Sequence, residues 1–168
     1  MSGDLTINTI CNKLPNMNGA TNNHKSEFIR RKEQQFDAAC RKRGLSQTTQ
    51  RRAILVALAG RTDHPTVDLL YEELHQKFKG LSRTTVYRVL ETLVEIGVAR
   101  RITSMEAKAR FDADTSRHHH FICQGCGNVS DVRDPALNRI ELPADQADGF
   151  RFLDYSITFT GVCPHCRS

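Results

Sequence analysis

The chain has 168 residues, 39% hydrophobic and 26% charged, with 24 Lys and Arg against 19 Asp and Glu. That length allows one domain or two small ones with modest cores. The longest uninterrupted apolar run, Ala53–Ala59, is too short to span a bilayer. Residues 1–20 have no basic segment leading into an apolar core, so no secretory signal is expected, and the six cysteines are read as those of a cytoplasmic protein.

The charge is uneven along the chain. Residues 28–111 hold 17 Lys and Arg against 9 Asp and Glu, whereas residues 112–168 hold 5 against 8. A basic first half and an acidic second half rich in metal-ligand residue types suggest a nucleic-acid-binding domain followed by a sensing or assembly domain.

Residues 1–25 are rich in Asn, Thr and Gly without periodicity and read as a disordered extension, with Cys11 a spare thiol. Ser26 to Lys42 reads as a charged helix with a sparse apolar side of Phe28, Phe36, Ala39 and Cys40, where Cys40 is expected to be a small core residue. A second helix is expected to open at Leu45-Ser46 and stop at Gly60, burying Ile54, Leu55, Leu58 and Ala59. Thr66 is the expected N-cap of a third, Val67 to Lys79, with Leu69, Leu70, Leu74 and Phe78 at helical spacing. His64, just before it, reads by default as a surface residue.

Gly80-Leu81 then turns the chain and Ser82 caps a fourth helix, Arg83 to about Ile96. Val86, Val89, Leu90, Leu93 and Val94 make its buried stripe, Thr84, Arg88 and Glu91 face the other way, and Tyr87 sits at the border. Helix, short glycine turn, helix with polar outward residues is either a helix-turn-helix or an ordinary helical hairpin, and the basic charge favours the former. In that reading Arg88 is placed to bond guanine or phosphate and Tyr87 to meet a thymine methyl. Val98 to Thr103 and Ala109 to Asp112 read as two strands around a turn at residues 104–107, the wing of a winged helix. Its Arg100, Arg101, Lys108 and Arg110 are expected to meet phosphates.

The wing runs into Phe111–Asp131, FDADTSRHHHFICQGCGNVSD, which concentrates three histidines, two cysteines and three aspartates. Alternation on a strand points His118 and His120 to one face and His119 to the other. With Asp112 upstream and Asp131 downstream, imidazole plus carboxylate suits Fe2+, Mn2+ or Zn2+, unless the stretch is simply a His-rich surface turn. Pro135 to Ile140 is expected to be one short helix, Leu142 to Gly149 a loop, and Phe150 to Val162 a half-buried strand. Strands 119–123, 128–132 and 150–162 would form a small sheet with one apolar face, which predicts a homodimer through it.

Cys123-Gln-Gly-Cys126 and Cys163-Pro-His-Cys166 are two C-x-x-C knuckles 36 residues apart. A redox dithiol or two disulfides would use the same residues. Two knuckles in a chain read as cytoplasmic favour a tetrahedral all-sulfur site, whose soft thiolates suit a structural Zn2+.

Residues 28–168 resemble the ferric uptake regulator (Fur) family of metal-responsive repressors. The resemblance is carried by His64-Pro65-Thr66, Ser82-Arg-Thr-Thr-Val-Tyr-Arg88, Arg110-Phe111-Asp112, His118-His-His120-Phe-Ile-Cys123, Cys126, Asp131 and Cys163-Pro-His-Cys166. It implies an α/β (α+β) architecture: an N-terminal winged helix-turn-helix domain at 26–110 and a small C-terminal metal-binding dimerisation domain at 111–168 with the four-cysteine zinc site. It further implies a regulatory Fe2+ or Mn2+ held by His64, Asp112, His118, His120 and Asp131 with one coordination position left open. The implied partners are double-stranded operator DNA, met by Ser82, Thr84, Thr85, Tyr87 and Arg88, and a second copy of the chain. No membrane and no enzymatic activity are implied.

Within the family, Asp131, where the iron-sensing branch carries Glu, is similar to the peroxide-sensing (PerR) branch, which implies His64 and His118 as targets of iron-catalysed oxidation. No His lies between residues 121 and 164, so the further metal site of some relatives is not expected. The N-terminal extension and a shortened segment 141–149 depart from the usual pattern. The alternatives are an iron-, manganese- or zinc-responsive repressor without peroxide sensing and, more remotely, a zinc hydrolase or dithiol oxidoreductase. The latter class is disfavoured because the sequence offers no Glu poised beside an open zinc.

Overall fold

The computed structural model describes residues 22–102, 108–141, 143 and 149–167. These form two compact units, one ending at Thr115 and one beginning at Ser116.

The first unit opens with α1, Asn22–Arg43. It starts four residues before the expected Ser26, since no Pro or Gly separates Asn22 from the helical stretch. Arg41, Lys42 and Arg43 complement the dipole in its last turn, and Gly44 ends it in the left-handed region at φ 65°. Phe36 and Cys40, one turn apart, are fully buried. The remaining extension, 1–21, lies outside the described residues.

Helix α2 spans Thr49–Ala59. It begins later than Leu45-Ser46 because Thr48 is the cap, its hydroxyl accepting from the Arg51 amide at 3.3 Å. Helix α3, Val67–Leu74, is capped by Thr66 and stops five residues short of the expected Lys79. Helix α4, Arg83–Glu95, is capped by Ser82, which accepts from the Thr85 amide at 3.1 Å. Val86, Val89, Leu90 and Leu93 of α4 join Ile54, Leu55 and Leu58 of α2, Leu70 and Leu74 of α3, and Phe36 and Cys40 in one core. The hairpin β1 (Arg100–Ile102) and β2 (Arg110–Asp112) is antiparallel, with Arg101 opposite Phe111. The expected turn between them falls outside the described residues.

In the second unit, β3 (His119–Cys123) is the central strand. It pairs antiparallel with β4 (Val129–Val132) and parallel with β5 (Thr158–Gly161). Pro135–Arg139 is a 3₁₀ turn capped by Asp134. The expected 142–149 loop lies mostly outside the described residues.

The single strand expected over 150–162 is corrected to the four residues of β5. Upstream of it, side-chain contacts replace the strand ladder. The Tyr155 hydroxyl donates to Leu137 O at 2.6 Å and accepts from the Ile140 amide at 2.9 Å, and the ring stacks on His119. Nor is the alternation half-buried within one chain, because Phe150 is 80% and Phe152 49% exposed.

Candidate metal centres and nucleic-acid face

In the first unit, β2 holds the loop that carries His64. Arg110 donates to the His64 carbonyl at 3.0 Å, and the Phe111 amide donates to Pro65 O at 3.1 Å. His64 takes φ 50°, a left-handed conformation uncommon outside glycine. It is 4% exposed, which corrects the default surface reading. Its Nε2 lies 3.9 Å from Asp112 Oδ2, while Asp112 Oδ1 accepts from the Asp114 amide at 2.8 Å. Imidazole and carboxylate are thus preset side by side, with one carboxylate oxygen already tied to the backbone. Lys32 of α1, a residue the charged-helix reading passed over, is buried nearby. Burial pushes its ammonium below the ordinary value, against the opposing pull of Asp114 and Asp112, and its Nζ donates to Thr115 Oγ1 at 3.4 Å.

In the second unit His118, the residue before β3, and His120 of β3 come together, Nε2 to Nε2 at 3.0 Å. The β3–β4 register sets Asp131 opposite His120, and Asp131 Oδ1 lies 3.7 Å from His118 Nε2. His118 Nδ1 donates to Ser116 O at 2.9 Å, which leaves Nε2 as the lone-pair donor. His119 faces away. Its Nε2 donates to Leu137 O at 3.2 Å and its Nδ1 accepts from the Ile157 amide at 3.2 Å, so both ring nitrogens are used in holding the sheet.

The two knuckles converge at the ends of β3 and β5. One sulfur atom each from Cys123, Cys126, Cys163 and Cys166 lies within 4.8 Å of the others, and Cys126 and Cys163 are 3.9 Å apart. A tetrahedral ion with metal–sulfur bonds of about 2.3 Å requires sulfur separations of about 3.8 Å; a disulfide requires about 2.05 Å. The set therefore fits zinc. Burial pushes the Cys123 thiol up, but backbone amides of Cys163, Cys126 and Gly125 outweigh it and bring the thiol below its ordinary value, toward the thiolate a metal needs. The Cys163 amide donates to Cys123 Sγ at 3.2 Å. A Cβ on Gly125 would meet the Cys166 Cβ at 2.8 Å, so the first knuckle closes only over glycine.

On α4, Tyr87 is 42% exposed and Thr84 and Arg88 are exposed. Ser82 and Thr85 are engaged with one another through the cap, hydroxyl to hydroxyl at 2.9 Å. The wing cations are more occupied than expected. Lys108 pairs with Asp68 at 2.6 Å, Arg101 with Glu91 at 3.5 Å, Arg100 bonds Thr115 O at 3.0 Å, and Arg110 braces the His64 loop. The expectation that all four serve phosphates is corrected for Arg110 and Arg100, whose hydrogen bonds go to backbone carbonyls of their own unit. Arg133, bonded to Asp131 Oδ2 at 2.9 Å, is not singled out by the sequence; it follows the last residue of β4.

Among the described residues no helix is long and apolar enough to cross a membrane. The sequence model of the Ferric uptake regulator family matches residues 42–160. The peroxide-responsive repressor PerR of Staphylococcus epidermidis is 35% identical over 130 residues, covering 77% of this chain and 87% of that protein. The ferric uptake regulator of Helicobacter pylori, described as having three functional metal-binding sites, shares the fold at a TM-score of 0.71 and 20% identity, covering 83% of this chain and 94% of that one. The Campylobacter jejuni peroxide stress regulator superposes with a TM-score of 0.60 at 27% identity, covering 80% and 98%.

Proposed function

Because the chain belongs to the ferric uptake regulator family of metal-responsive transcriptional regulators, we propose that it is a DNA-binding repressor that senses hydrogen peroxide through Fe2+-dependent oxidation of a ligating histidine. In this reading Cys123, Cys126, Cys163 and Cys166 hold a structural Zn2+. His64 and Asp112 from the first unit join His118, His120 and Asp131 from the second to bind a regulatory Fe2+ or Mn2+. Helix α4 meets operator DNA through Ser82, Thr84, Thr85, Tyr87 and Arg88, and two copies of this cytoplasmic chain pair through the apolar side of the second unit, where Phe150, Leu153 and Phe152 are exposed.

The observation that carries the reading is the separation of donor chemistry. A closed all-sulfur set stands apart from two preset groups of imidazole and carboxylate, so the roles of scaffold and sensor fall to different residues. The peroxide branch is supported by Asp131 and by the identity to the peroxide-responsive relative.

Held by His64, Asp112, His118, His120 and Asp131, Fe2+ would supply reductive cleavage of the peroxide O–O bond. Overall, one peroxide oxygen is inserted at the carbon between the two ring nitrogens of His64 or His118, the other leaves as water, and the imidazole loses the two electrons that the peroxide gains. The oxidised ring is a poorer donor, metal affinity falls, and the form that binds DNA loses its support.

The test loads the full-length protein with Fe2+ without oxygen, adds stoichiometric hydrogen peroxide, and weighs peptides containing His64 and His118. A gain of one oxygen on those histidines, absent with Mn2+, is expected. Unmodified histidines, with DNA binding that follows iron alone, would make the protein a plain iron-responsive repressor.

A further inference from the structure

Two residues beside the proposed regulatory site are bonded in a way that ligand assignment alone does not explain. Arg133 uses both terminal nitrogens: Nη2 donates to Asp131 Oδ2 at 2.9 Å and Nη1 to Ser116 Oγ at 3.3 Å. Ser116 in turn offers its carbonyl to His118 Nδ1 at 2.9 Å. The chain of contacts Asp131–Arg133–Ser116–His118 therefore closes around two proposed ligands from behind. On the front, Asp131 Oδ1 and His118 Nε2 lie 3.7 Å apart, and His120 Nε2 stands 3.0 Å from His118 Nε2.

We infer that Arg133, seated on Ser116, is a positioning residue that restricts Asp131 to one ligating oxygen and so keeps a coordination position of the regulatory metal open. The inference rests on the proposed function and adds its determinant of coordination number. A free carboxylate can bind a cation through one oxygen or both. Here Oδ2 is committed to a guanidinium, a charge-assisted bond that a second metal–oxygen bond would have to displace. Asp112 is limited by a different device, since its Oδ1 is tied to the Asp114 amide at 2.8 Å. Three imidazole nitrogens and two single oxygens make five donors, which leaves one position of an octahedral set vacant until peroxide enters it.

The competing account makes Arg133 an ordinary exposed partner of Asp131, since surface ion pairs contribute about 0–1 kcal/mol. The two accounts differ in what removal does. A mere ion pair places a positive charge near a divalent cation, so removing it tightens binding through reduced repulsion and leaves the coordination number alone. A positioning arginine, once removed, releases Oδ2 to the metal, and five-coordination becomes six.

Cobalt(II) reads this directly, because its visible ligand-field absorption is stronger when five-coordinate than when six-coordinate. Full-length protein with zinc on its cysteines is titrated with Co2+ in the native form and as Arg133→Met, Arg133→Lys and Ser116→Ala. The native protein is expected to take one equivalent with a five-coordinate spectrum. Arg133→Met is expected to take one equivalent with weakened, shifted absorption. Arg133→Lys, which keeps one donor for Oδ2, is expected to retain the native spectrum, and Ser116→Ala to fall between. A native spectrum in Arg133→Met, or loss of Co2+ from it altogether, overturns the inference while leaving the proposed function intact. Failure of the native protein to bind Co2+ beyond its cysteines overturns the proposed function and this inference with it.

Discussion

Removing the ion from the four-cysteine set should unfold the second unit and spare the first. Among the described residues from Ser116 onward, the buried apolar side chains are Ile122, Cys123 and Val129. Full burial of an aliphatic side chain is worth about 1.5–3 kcal/mol, so these contribute only a few kcal/mol. The parallel pairing of β3 with β5 closes a long loop, since 36 residues separate the knuckles. Cross-linking a loop of that size restricts the unfolded chain by about 4 kcal/mol, and a structural zinc contributes about 10–16 kcal/mol of apparent folding free energy. The zinc figure rivals the 5–15 kcal/mol that holds a typical domain together. Stripping the metal, or Cys163→Ser, should therefore cost the second unit on the order of 10 kcal/mol. The assay is hydrogen exchange followed peptide by peptide. Peptides containing Phe121 and Phe159 should lose protection, while the peptide containing Val89 and Leu90, whose core is supplied by its own unit, should keep it. Unchanged protection at Phe121 in verified zinc-free protein would refute the structural role of the thiolates.

Gly161→Ala sets a Cβ 2.7 Å from the Phe121 ring and should destabilise the β3–β5 pair by about 1–3 kcal/mol, read by chemical denaturation. Ser82→Ala removes the oxygen that accepts the Thr85 amide and should cost about 1 kcal/mol, read as a lower midpoint of thermal unfolding. Leu90→Ala empties a fully buried position and should cost about 2–5 kcal/mol by the same measurement. Hydrogen bonds from Lys108 and Arg83 hold the Asp68 carboxyl below its ordinary value. A lowered carboxylate stabilises above the unfolded-state value of about 3.9 and loses that contribution as pH falls through the folded-state value. Asp68→Asn should therefore lower stability near neutrality by less than about 1 kcal/mol and flatten the acid limb below pH ~4, measured by denaturation across pH.

The parts of the fold that sequence revealed are those set by short-range rules. Thr66 and Ser82 cap where their hydroxyls and the following apolar periods say they should, and the stripe Val86, Val89, Leu90, Leu93 is buried as its spacing predicts. The knuckles were legible because C-x-x-C spacing encodes a metal geometry directly. One misreading was local and the others came from long-range partners. Leu45-Ser46 carries a plausible helix start, but Thr48 lies nearer the first amide that needs an acceptor. Alternating aromatics from Phe150 onward satisfy a strand period, but β3 offers β5 only four partners, His120 to Cys123. The wing arginines read as phosphate contacts because their charge was visible and the backbone carbonyls that bind Arg110 and Arg100 were not.

The two proposed half-sets of ligands are organised by different means. His64 owes its position to bonds from β2, the Phe111 amide to Pro65 O and the Arg110 guanidinium to the His64 carbonyl, which hold a left-handed histidine. Such a conformation costs on the order of 1–3 kcal/mol and persists only where neighbouring contacts impose it. His120 and Asp131 need no strain: the β3–β4 register suffices. If strain at residue 64 serves to aim the imidazole at Asp112, a residue indifferent to positive φ should relieve it. His64→Gly should then raise the thermal stability of the first unit, or leave it unchanged despite the lost burial, while abolishing regulatory metal binding. A drop in stability as large as that of Leu90→Ala would instead make His64 an ordinary core residue, its left-handed backbone incidental to metal.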